Sequence, residues 1–272
     1  MTYNDKAQIF RKLHDGPRIL ALPNAWDVVS AKMFGSVGFP AIATTSAGVA
    51  NCLGYRDGEQ IPFDELLFMT RKIVNAVDVP VTADIESGYS AGLEQLSRTI
   101  AQIIDTGAVG INLEDSSPSG DLVDLEFHAR KVQAARAAAS TLGAELFINA
   151  RVDVYLLGAG KPELRFENSV NRALAYKAAG ADCIFIPGVV DVETIRNLAA
   201  AIPCPINVLA VKGTPPIDQL EKLGVARVST GSGPARACAT LARKIGIELH
   251  EKGTYSSYTD NAITYKELND YF

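Results

Sequence analysis

The sequence is short of the residues that most often build catalytic and structural metal sites. Its 272 residues include only three histidines and four cysteines. No two of the cysteines (Cys52, Cys183, Cys204 and Cys238) form a Cys-x-x-Cys pair, which disfavours a structural zinc site. Cys183 and Cys204 lie in or beside apolar runs and are expected to be buried thiols, whereas Cys52 is expected in a loop.

Long apolar runs and an excess of positive charge are missing as well. No run approaches the ~20 residues of a membrane-spanning helix, and residues 1–13 lack the apolar core of a signal peptide. The net charge of -5 disfavours nucleic acid as a partner. With 47% hydrophobic and 21% charged residues, the composition is typical of a globular protein. We expect it in the cytoplasm, with neither membrane nor nucleic acid as a partner.

What the chain does contain is a regular alternation of short apolar runs and amphipathic stretches. The short runs indicate buried strands, and between them apolar residues recur at three- and four-residue spacing, which indicates helices. The predicted strands cover residues 19–22, 41–45, 79–85, 110–114, 146–151, 183–187, 206–209 and 227–229. The predicted helices cover residues 26–34, 63–77, 91–106, 122–142, 166–179, 192–201, 217–223 and 234–250.

Eight strand–helix units predict a single closed (β/α)8 TIM barrel over residues 1–272, because strands that alternate with helices pair in parallel. An open doubly wound sheet is the alternative, but it needs fewer strands or an added domain. Residues 5–15 predict an extra helix before the first strand. Residues 249–272 form an extension after the barrel, and its apolar and aromatic side chains predict a contact with another subunit.

Two of the predicted strands end in carboxylates. Asp84 and Glu86 close one strand, and Glu114 closes the next. Asp84 and Glu86 are two residues apart, so they project to the same face of an extended strand. Because the strands of a parallel barrel end at one rim, we expect these carboxylates to bind Mg²⁺ there, directly or through water, with Mn²⁺ as a substitute ion. The alternative is that one of them caps a helix or pairs with Arg151.

Other polar residues also fall at predicted strand ends. Arg151 follows the fifth strand, and its planar guanidinium suits a carboxylate or phosphate of a substrate. A salt bridge to a neighbouring carboxylate is the alternative role, and both roles can hold together. Asn24, Thr45, Ser46 and Asn207 are candidate substrate-binding residues at the same rim.

No histidine falls at a predicted strand end, which disfavours a histidine base and a histidine-ligated zinc. A Gly-x-Ser-x-Gly nucleophile motif is absent too. Lys212 is expected to be a solvated loop residue rather than a Schiff-base lysine. The Gly-Ser-Gly sequence at 231–233 marks the entry of the last helix, with phosphate binding as the alternative.

Taken together, these motifs resemble the isocitrate lyase/phosphoenolpyruvate mutase superfamily over about residues 10 to 246. An Asp-x-Glu-x-Gly-Tyr motif and a Glu-Asp pair that end successive barrel strands are specific features of that superfamily. The segments that carry the resemblance are Leu22-Pro23-Asn24-Ala25-Trp26-Asp27, Gly54-Tyr55-Arg56-Asp57, Asp84-Ile85-Glu86-Ser87-Gly88-Tyr89, Asn112-Leu113-Glu114-Asp115 and Asn149-Ala150-Arg151.

The resemblance implies a (β/α)8 barrel that assembles as a homotetramer, a dimer of dimers in which a C-terminal helix is exchanged between subunits. It also implies a Mg²⁺-dependent site for small 2-oxo or 2-hydroxy carboxylates. The shared chemistry is the cleavage or formation of a bond beside a pyruvate-like enolate, whose developing negative charge a chelated Mg²⁺ stabilises.

The resemblance also implies roles for individual residues. Asp57 matches an acidic residue near the waters of the metal, and Arg151 matches the arginine that contacts substrate, so these two are the candidate catalytic residues. Thr45 and Ser46 match the groups that hold the substrate carboxylate. The residues that match metal-site carboxylates are Asp84, Glu86 and Glu114.

The chain departs from this superfamily in one loop. Isocitrate and methylisocitrate lyases carry a Lys-Lys-Cys-Gly-His run there with cysteine as the catalytic acid, and the mutases and phosphonopyruvate hydrolases carry a longer loop with lysine and asparagine. Here residues 116–121 read Ser-Ser-Pro-Ser-Gly-Asp. We therefore expect a lyase reaction that needs little from the loop, such as decarboxylation or retro-aldol cleavage of an oxaloacetate-like acid. The alternatives are phosphonopyruvate hydrolase or phosphoenolpyruvate mutase-type P–C chemistry, methylisocitrate lyase-like cleavage, and a binding barrel without turnover.

Overall fold

A closed parallel barrel forms the centre of the protein. The computed structural model describes residues 1–260 and 262–272. Its strands are β1 (Leu20–Leu22), β2 (Asn24–Ala25), β3 (Ile42–Thr44), β4 (Val81–Asp84), β5 (Gly110–Glu114), β6 (Phe147–Arg151), β7 (Cys183–Phe185), β8 (Ile206–Leu209) and β9 (Arg227–Ser229). Every recorded pairing between them is parallel, in the order β1-β9-β8-β7-β6-β5-β4-β3-β2.

The first two strands are two halves of one barrel strand. Pro23 separates them, because proline has no N–H to donate to a neighbouring strand. β1 pairs with β9 on one side, and β2 pairs with β3 on the other. The ring is thereby closed with eight barrel strands, which confirms the predicted (β/α)8 architecture and excludes the open doubly wound sheet.

Helices surround the barrel and follow the predicted pattern within a few residues. They are α1 (Tyr3–Lys12), α2 (Val28–Ser36), α3 (Ser46–Cys52), α4 (Phe63–Ala76), α5 (Leu93–Asp105), α6 (Leu125–Thr141), α7 (Arg165–Ala178), α8 (Val192–Ala201), α9 (Ile217–Lys222), α10 (Gly233–Lys252), α11 (Ser256–Thr259) and α12 (Tyr265–Asn269). A short 3-10 turn, Pro162–Leu164, precedes α7. The prediction missed α3, so Cys52 ends a helix and does not lie in a loop.

The extra helix α1 closes the amino-terminal end of the barrel. A capping box between Thr2 and Asp5 starts this helix. Phe10 is fully buried against residues from the starts of several strands, among them Leu20 and Phe147. The rim at which the strands finish is therefore the opposite end of the barrel. Of the expected buried thiols, Cys183 is fully buried and Cys204 is partly buried. Among the described residues, no helix is long and apolar enough to span a membrane.

Candidate active site

A cavity of about 140 Å³ opens at the carboxyl ends of the strands. Most of its lining is polar, and the larger apolar side chains of the lining come from β7, β8 and the loops after β6 and β7. The polar lining residues are Asn24, Thr45, Ser46, Asp57, Asp84, Asn112, Arg151, Ser229 and Ser232. The apolar lining residues are Ala47, Leu156, Phe185, Pro187 and Leu209. Six of the nine predicted site residues therefore surround one cavity, and the other three (Glu86, Glu114 and Asn207) lie outside its lining.

Asp84 ends β4, and its two carboxylate oxygens have different surroundings. Its Oδ2 accepts hydrogen bonds from the backbone N–H of Ser46 (3.1 Å) and from the Ser46 hydroxyl (2.9 Å). Thr45 caps the start of α3, which places Ser46 beside the end of β4. Asp84 Oδ1 is buried and has no hydrogen-bond partner among the described residues. A buried carboxylate oxygen without a partner is costly, so this atom is suited to a cation.

Glu86 lies two residues further on and is held by hydrogen bonds from two directions. Its Oε2 accepts from the backbone N–H of Glu59 (2.7 Å), and its Oε1 accepts from the Tyr89 hydroxyl (2.9 Å). Burial and, to a smaller extent, the negative charges of Asp84 and Asp57 together raise the pKa of Glu86 to about 7. Three carboxylates are therefore close enough to repel one another.

Asp57 comes from the loop between α3 and α4 and lines the cavity. Burial and the negative charge of Asp84 raise the pKa of Asp57. A hydrogen bond from the Gly58 backbone N–H, the charge of Arg151 and the Ser46 hydroxyl lower this pKa to a smaller extent. Asp57 therefore lies near Asp84 in the lining of the cavity.

Glu114 and Arg151 are cross-strand neighbours at the ends of β5 and β6. The Arg151 guanidinium forms ion pairs with Glu114 and with Asp153, the latter at 2.6 Å. Ser116 Oγ lies 2.9 Å from Glu114 Oε1 and 2.7 Å from Asp153 Oδ2. Burial raises the pKa of Glu114, and Arg151 partly offsets that rise. Burial lowers the pKa of Arg151, but Glu114 and Asp153 outweigh it and keep the arginine charged.

The donor set fits Mg²⁺ better than an ion that demands several direct protein ligands. Among residues 1–260 and 262–272, no three or more histidine, cysteine, aspartate or glutamate side chains are grouped to hold an ion directly. Mg²⁺ keeps several waters and usually takes one or two carboxylates. Asp84 Oδ1 is the free carboxylate oxygen, and the repulsion among Asp57, Asp84 and Glu86 is what a cation would relieve.

Two of the predicted substrate-binding residues have their side chains engaged within the barrel. Asn24 Nδ2 donates to the Thr44 carbonyl (2.8 Å), and Oδ1 accepts from the backbone N–H groups of Thr230 and Gly231 (both 2.9 Å). Asn24 therefore ties β2 to the segment after β9 while it lines the cavity. Asn207 is fully buried and is paired with Ser229 (3.1 Å), so it supports the cavity floor.

The apolar side of the cavity was not predicted from the sequence. Phe185 and Leu209 end β7 and β8, Pro187 follows β7, and Leu156 lies in the loop after β6. Their positions at strand ends were a usable signal, because residues at the rim of a barrel face its active site. The prediction considered only polar residues at that rim.

The loop after β5 turns back on itself and stays outside the cavity lining. The backbone N–H of Ser117 donates to the Asp121 carbonyl (2.8 Å), and an antiparallel bridge joins Ser116 to Leu122. No residue of 117–121 lines the cavity as described. The loop therefore brings no acid, lysine or thiol to the cavity.

A closed parallel barrel with an acidic cavity at the strand ends defines the chain as a (β/α)8-barrel protein with the architecture of barrel enzymes. The family model described as phosphoenolpyruvate phosphomutase matches residues 10–250. The chain belongs to this family, within the isocitrate lyase/phosphoenolpyruvate mutase superfamily.

Individual relatives are similar over most of the chain. An uncharacterized protein of Mycobacterium tuberculosis is 36% identical, covering 94% of this chain and 97% of its own length. The 2-methylisocitrate lyase of Bacillus subtilis is 27% identical (96% and 87% covered), and oxaloacetate decarboxylase 2 of Pseudomonas fluorescens is 28% identical (84% and 77% covered). The crystal structure of a candidate phosphonomutase from Burkholderia cenocepacia is 45% identical with a TM-score of 0.85, covering 89% of this chain and 100% of that chain.

These relatives carry the names of different enzymes. Carbon–carbon lyases and mutases both occur in the superfamily, which supports an enzyme of this kind. The reaction itself therefore has to be argued from the residues of the cavity.

Proposed function

We propose that this protein is a Mg²⁺-dependent lyase that cleaves a carbon–carbon bond beside a pyruvate-like enolate, with an oxaloacetate-like acid as substrate and decarboxylation as the reaction. The observation that carries the proposal is the lining of the cavity. Oxygen-rich groups line most of the cavity, apolar side chains from β7, β8 and the neighbouring loops line the rest, and the loop after β5 supplies no catalytic acid. A cavity of about 140 Å³ is also well below the ~300 Å³ at which pockets for larger ligands begin.

The polar side binds the 2-oxo acid end of the substrate. The residues that would hold Mg²⁺, directly or through water, are Asp84, Glu86, Glu114 and Asp57. Mg²⁺, or Mn²⁺ in its place, would stabilise negative charge that develops on the enolate oxygen. Thr45 and Ser46 hold the substrate carboxylate. Arg151 orients the substrate, and Glu114 and Asp153 fix the guanidinium for that purpose.

The apolar side favours the loss of carbon dioxide. A carboxylate placed against Phe185, Pro187 and Leu209 loses hydration without gaining a cation, because Arg151 is the only arginine or lysine in the described lining and is already ion-paired. Neutral carbon dioxide has no comparable desolvation cost, so the apolar surroundings favour the product over the carboxylate. The bond to that carboxylate breaks, its electron pair enters the enolate, and the enolate then takes up a proton to give the 2-oxo acid product.

Phosphonopyruvate hydrolysis or a phosphoenolpyruvate mutase-type reaction is the second candidate. The description of the matching family model favours it. A phosphonate, however, carries more charge than a carboxylate, and the apolar wall offers it no partner. Methylisocitrate lyase-like cleavage is the third candidate, and it would need an acid other than the cysteine that the loop after β5 lacks.

The first test is an assay for 2-oxo acid release on the purified protein, which detects pyruvate and, for isocitrate, glyoxylate. Oxaloacetate, methylisocitrate, isocitrate and phosphonopyruvate are supplied separately, each with Mg²⁺ and with EDTA. We expect Mg²⁺-dependent release from oxaloacetate alone, above the background of Mg²⁺ without protein. Release from phosphonopyruvate alone would show that the protein cleaves a P–C bond. Release from methylisocitrate would contradict the inference that the loop after β5, which lacks the catalytic cysteine, disfavours that reaction. Silence with all four acids would reject this function.

The same assay tests the metal site. Asp84→Asn removes the charge of the carboxylate that has a free oxygen, and we expect activity to fall about 100-fold or more with an unchanged melting temperature. Asp78→Asn alters an exposed aspartate away from the cavity and serves as the matched control. Full activity of Asp84→Asn in EDTA would sink the assignment of the metal site.

We further propose that the chain assembles as a homotetramer, a dimer of dimers, with residues 249–272 in subunit contact. The support comes from α10 and the extension after it. Beyond its first turn, α10 is largely exposed along its length, and its exposed apolar residues include Leu241, Ile247 and Leu249. Tyr255, Tyr258, Ile263, Tyr265 and Phe272 are exposed as well. An apolar surface of this extent is typical of a subunit interface.

A further inference from the structure

Two neighbouring loops at the rim are joined by residues in an unusual backbone conformation. Among the described residues, the non-glycine residues with positive φ are Glu59 (56°), Glu86 (50°) and Tyr89 (48°). This left-handed region is disfavoured for side chains that carry a Cβ atom. All three residues belong to one hydrogen-bonded network, so the surrounding structure enforces the conformation.

The network is reciprocal between the two loops. The Glu59 backbone N–H donates to Glu86 Oε2 (2.7 Å). In return, Glu59 Oε1 accepts from the Ser87 hydroxyl (2.6 Å) and from the Tyr89 backbone N–H (2.9 Å). The left-handed backbone at Glu59 lets its N–H and its carboxylate reach the same turn, residues 86–89. Each loop therefore contributes a glutamate that accepts from the other.

A buried lysine of α6 forms a hydrogen bond to the same network. Lys131 is 5% exposed, and its ammonium group donates to the Ser87 carbonyl. Burial lowers the pKa of Lys131, while the carboxylates of Glu59 and Glu114 raise it. A positive charge beside this turn offsets the negative charge that Glu59 brings to it.

The network spans two residues of the proposed site. Asp57 lies two positions before Glu59, and Asp84 lies two positions before Glu86. We propose that Glu59 is a positioning residue: it fastens the loop of residues 55–60 to the turn of residues 86–89 and so holds Asp57 in the cavity near Asp84. The inference rests on the proposed function for its catalytic consequence, but the fastening itself is a property of the protein without substrate.

The test removes the acceptor at Glu59. In Glu59→Ala, we expect hydrogen exchange to accelerate at the amides of residues 57–60 and 86–89 and not in the strands. Calorimetry should show weaker Mg²⁺ binding, and kcat should fall about 10- to 100-fold with a smaller change in KM, because Asp57 is displaced while the carboxylate-binding residues remain. Glu59→Gln keeps an acceptor oxygen. Its exchange rates, Mg²⁺ affinity and kcat should therefore be much closer to those of the wild-type protein than those of Glu59→Ala.

Two further variants keep the inference open to refutation. Asp64→Ala removes an exposed carboxylate nearby on α4 and should leave exchange, Mg²⁺ binding and kcat unchanged. If Glu59→Ala accelerates exchange throughout the chain, that variant has lost global stability and does not test the local contact. Ser87→Ala then tests it, because this variant removes only one hydrogen bond to Glu59. Local acceleration in Ser87→Ala supports the inference, and unchanged exchange at residues 57–60 overturns it. Because exchange and calorimetry need no substrate, failure of the proposed reaction would not be mistaken for failure of this inference.

Discussion

Arg227 is a buried charged residue that lacks the hydrogen bonds which buried charges usually have. It begins β9, is fully buried, and has no hydrogen-bond partner among the described residues for Nε, Nη1 or Nη2. Its guanidinium lies 6.0 Å from the centre of the Phe10 ring. Burial lowers the pKa of Arg227 to about 10, although Cys183 and Asp84 act in the opposite direction. A charge kept in this position costs folding free energy.

Arg227→Met should therefore raise the thermal stability of the protein. Methionine keeps a flexible apolar stem and removes the charge, so we expect the free energy of unfolding at pH 7 to increase by roughly 1 to 3 kcal/mol. Thermal and urea unfolding measure the change. Arg196→Met alters an exposed arginine on α8 and serves as the control. A lower stability of Arg227→Met would show that the guanidinium is well solvated or paired inside the barrel.

Single residues of the site were predictable to the extent that their position follows from a strand. Asp84 and Arg151 end parallel strands, and all such ends lie at one rim, so local sequence was sufficient to bring them together. Glu59 and Leu156 lie in loops. Their places depend on hydrogen bonds and packing with residues far away in the chain, and no spacing pattern in the sequence records those contacts.

At the scale of elements, the strands and long helices were predictable because apolar periodicity and turn residues mark them together. The prediction failed for α3, whose sequence Ser-Ala-Gly-Val-Ala-Asn-Cys has no amphipathic pattern. A Cβ atom at Gly48 would lie 2.8 Å from the Trp26 Cβ atom. Gly48 is therefore required by the close approach of another element, which outweighs the low helix propensity of glycine.

The corner between α10 and α11 depends on one buried carboxylate. Glu248 accepts hydrogen bonds from the hydroxyls of Thr254 (2.6 Å) and Ser256 (2.7 Å) and from the backbone N–H groups of Ser256 (2.9 Å) and Ser257 (2.8 Å). These bonds, led by those from the hydroxyls, lower the pKa of Glu248 below its ordinary value of 4.5. The carboxylate thus stabilises the corner above pH 4.5, and this contribution is lost as the pH falls below that value.

Glu248→Gln should loosen this corner at neutral pH. The amide cannot accept as many hydrogen bonds as the carboxylate, so exchange at the amides of Ser256 and Ser257 should accelerate and proteolysis near residues 253–257 should become faster. In the wild-type protein the same loosening should appear only on acidification well below pH 4.5, where the Glu248 carboxylate of the folded protein takes up a proton. Glu251→Gln alters an exposed glutamate on the same helix and should change neither readout. Equal protection of Ser256 in Glu248→Gln at pH 7 would contradict the role of Glu248.

At the scale of the whole molecule, the cavity is connected directly to α10, the helix that is largely exposed beyond its first turn. Gly231 and Ser232 line the cavity, and α10 begins at the next residue. Leu241, Ile245 and Leu249 follow one another at four-residue spacing and so form a stripe along α10. Assembly that covers this stripe would also fix the direction in which α10 leaves the cavity, so the oligomer and the site are expected to be coupled.

The double variant Leu241→Glu/Leu249→Glu tests that coupling. Sedimentation of the wild-type protein should give about four times the 29.0 kDa mass of one chain, and the variant should give a smaller species. Its activity should fall with the loss of assembly, because Gly231 and Ser232 are no longer held in place. Arg243→Glu changes charge on another face of α10 and should leave both mass and activity unaltered. A wild-type monomer, or a double variant that keeps the wild-type mass, would refute the proposed subunit contact; a dissociated variant with full activity would leave the contact standing and disprove its link to the cavity.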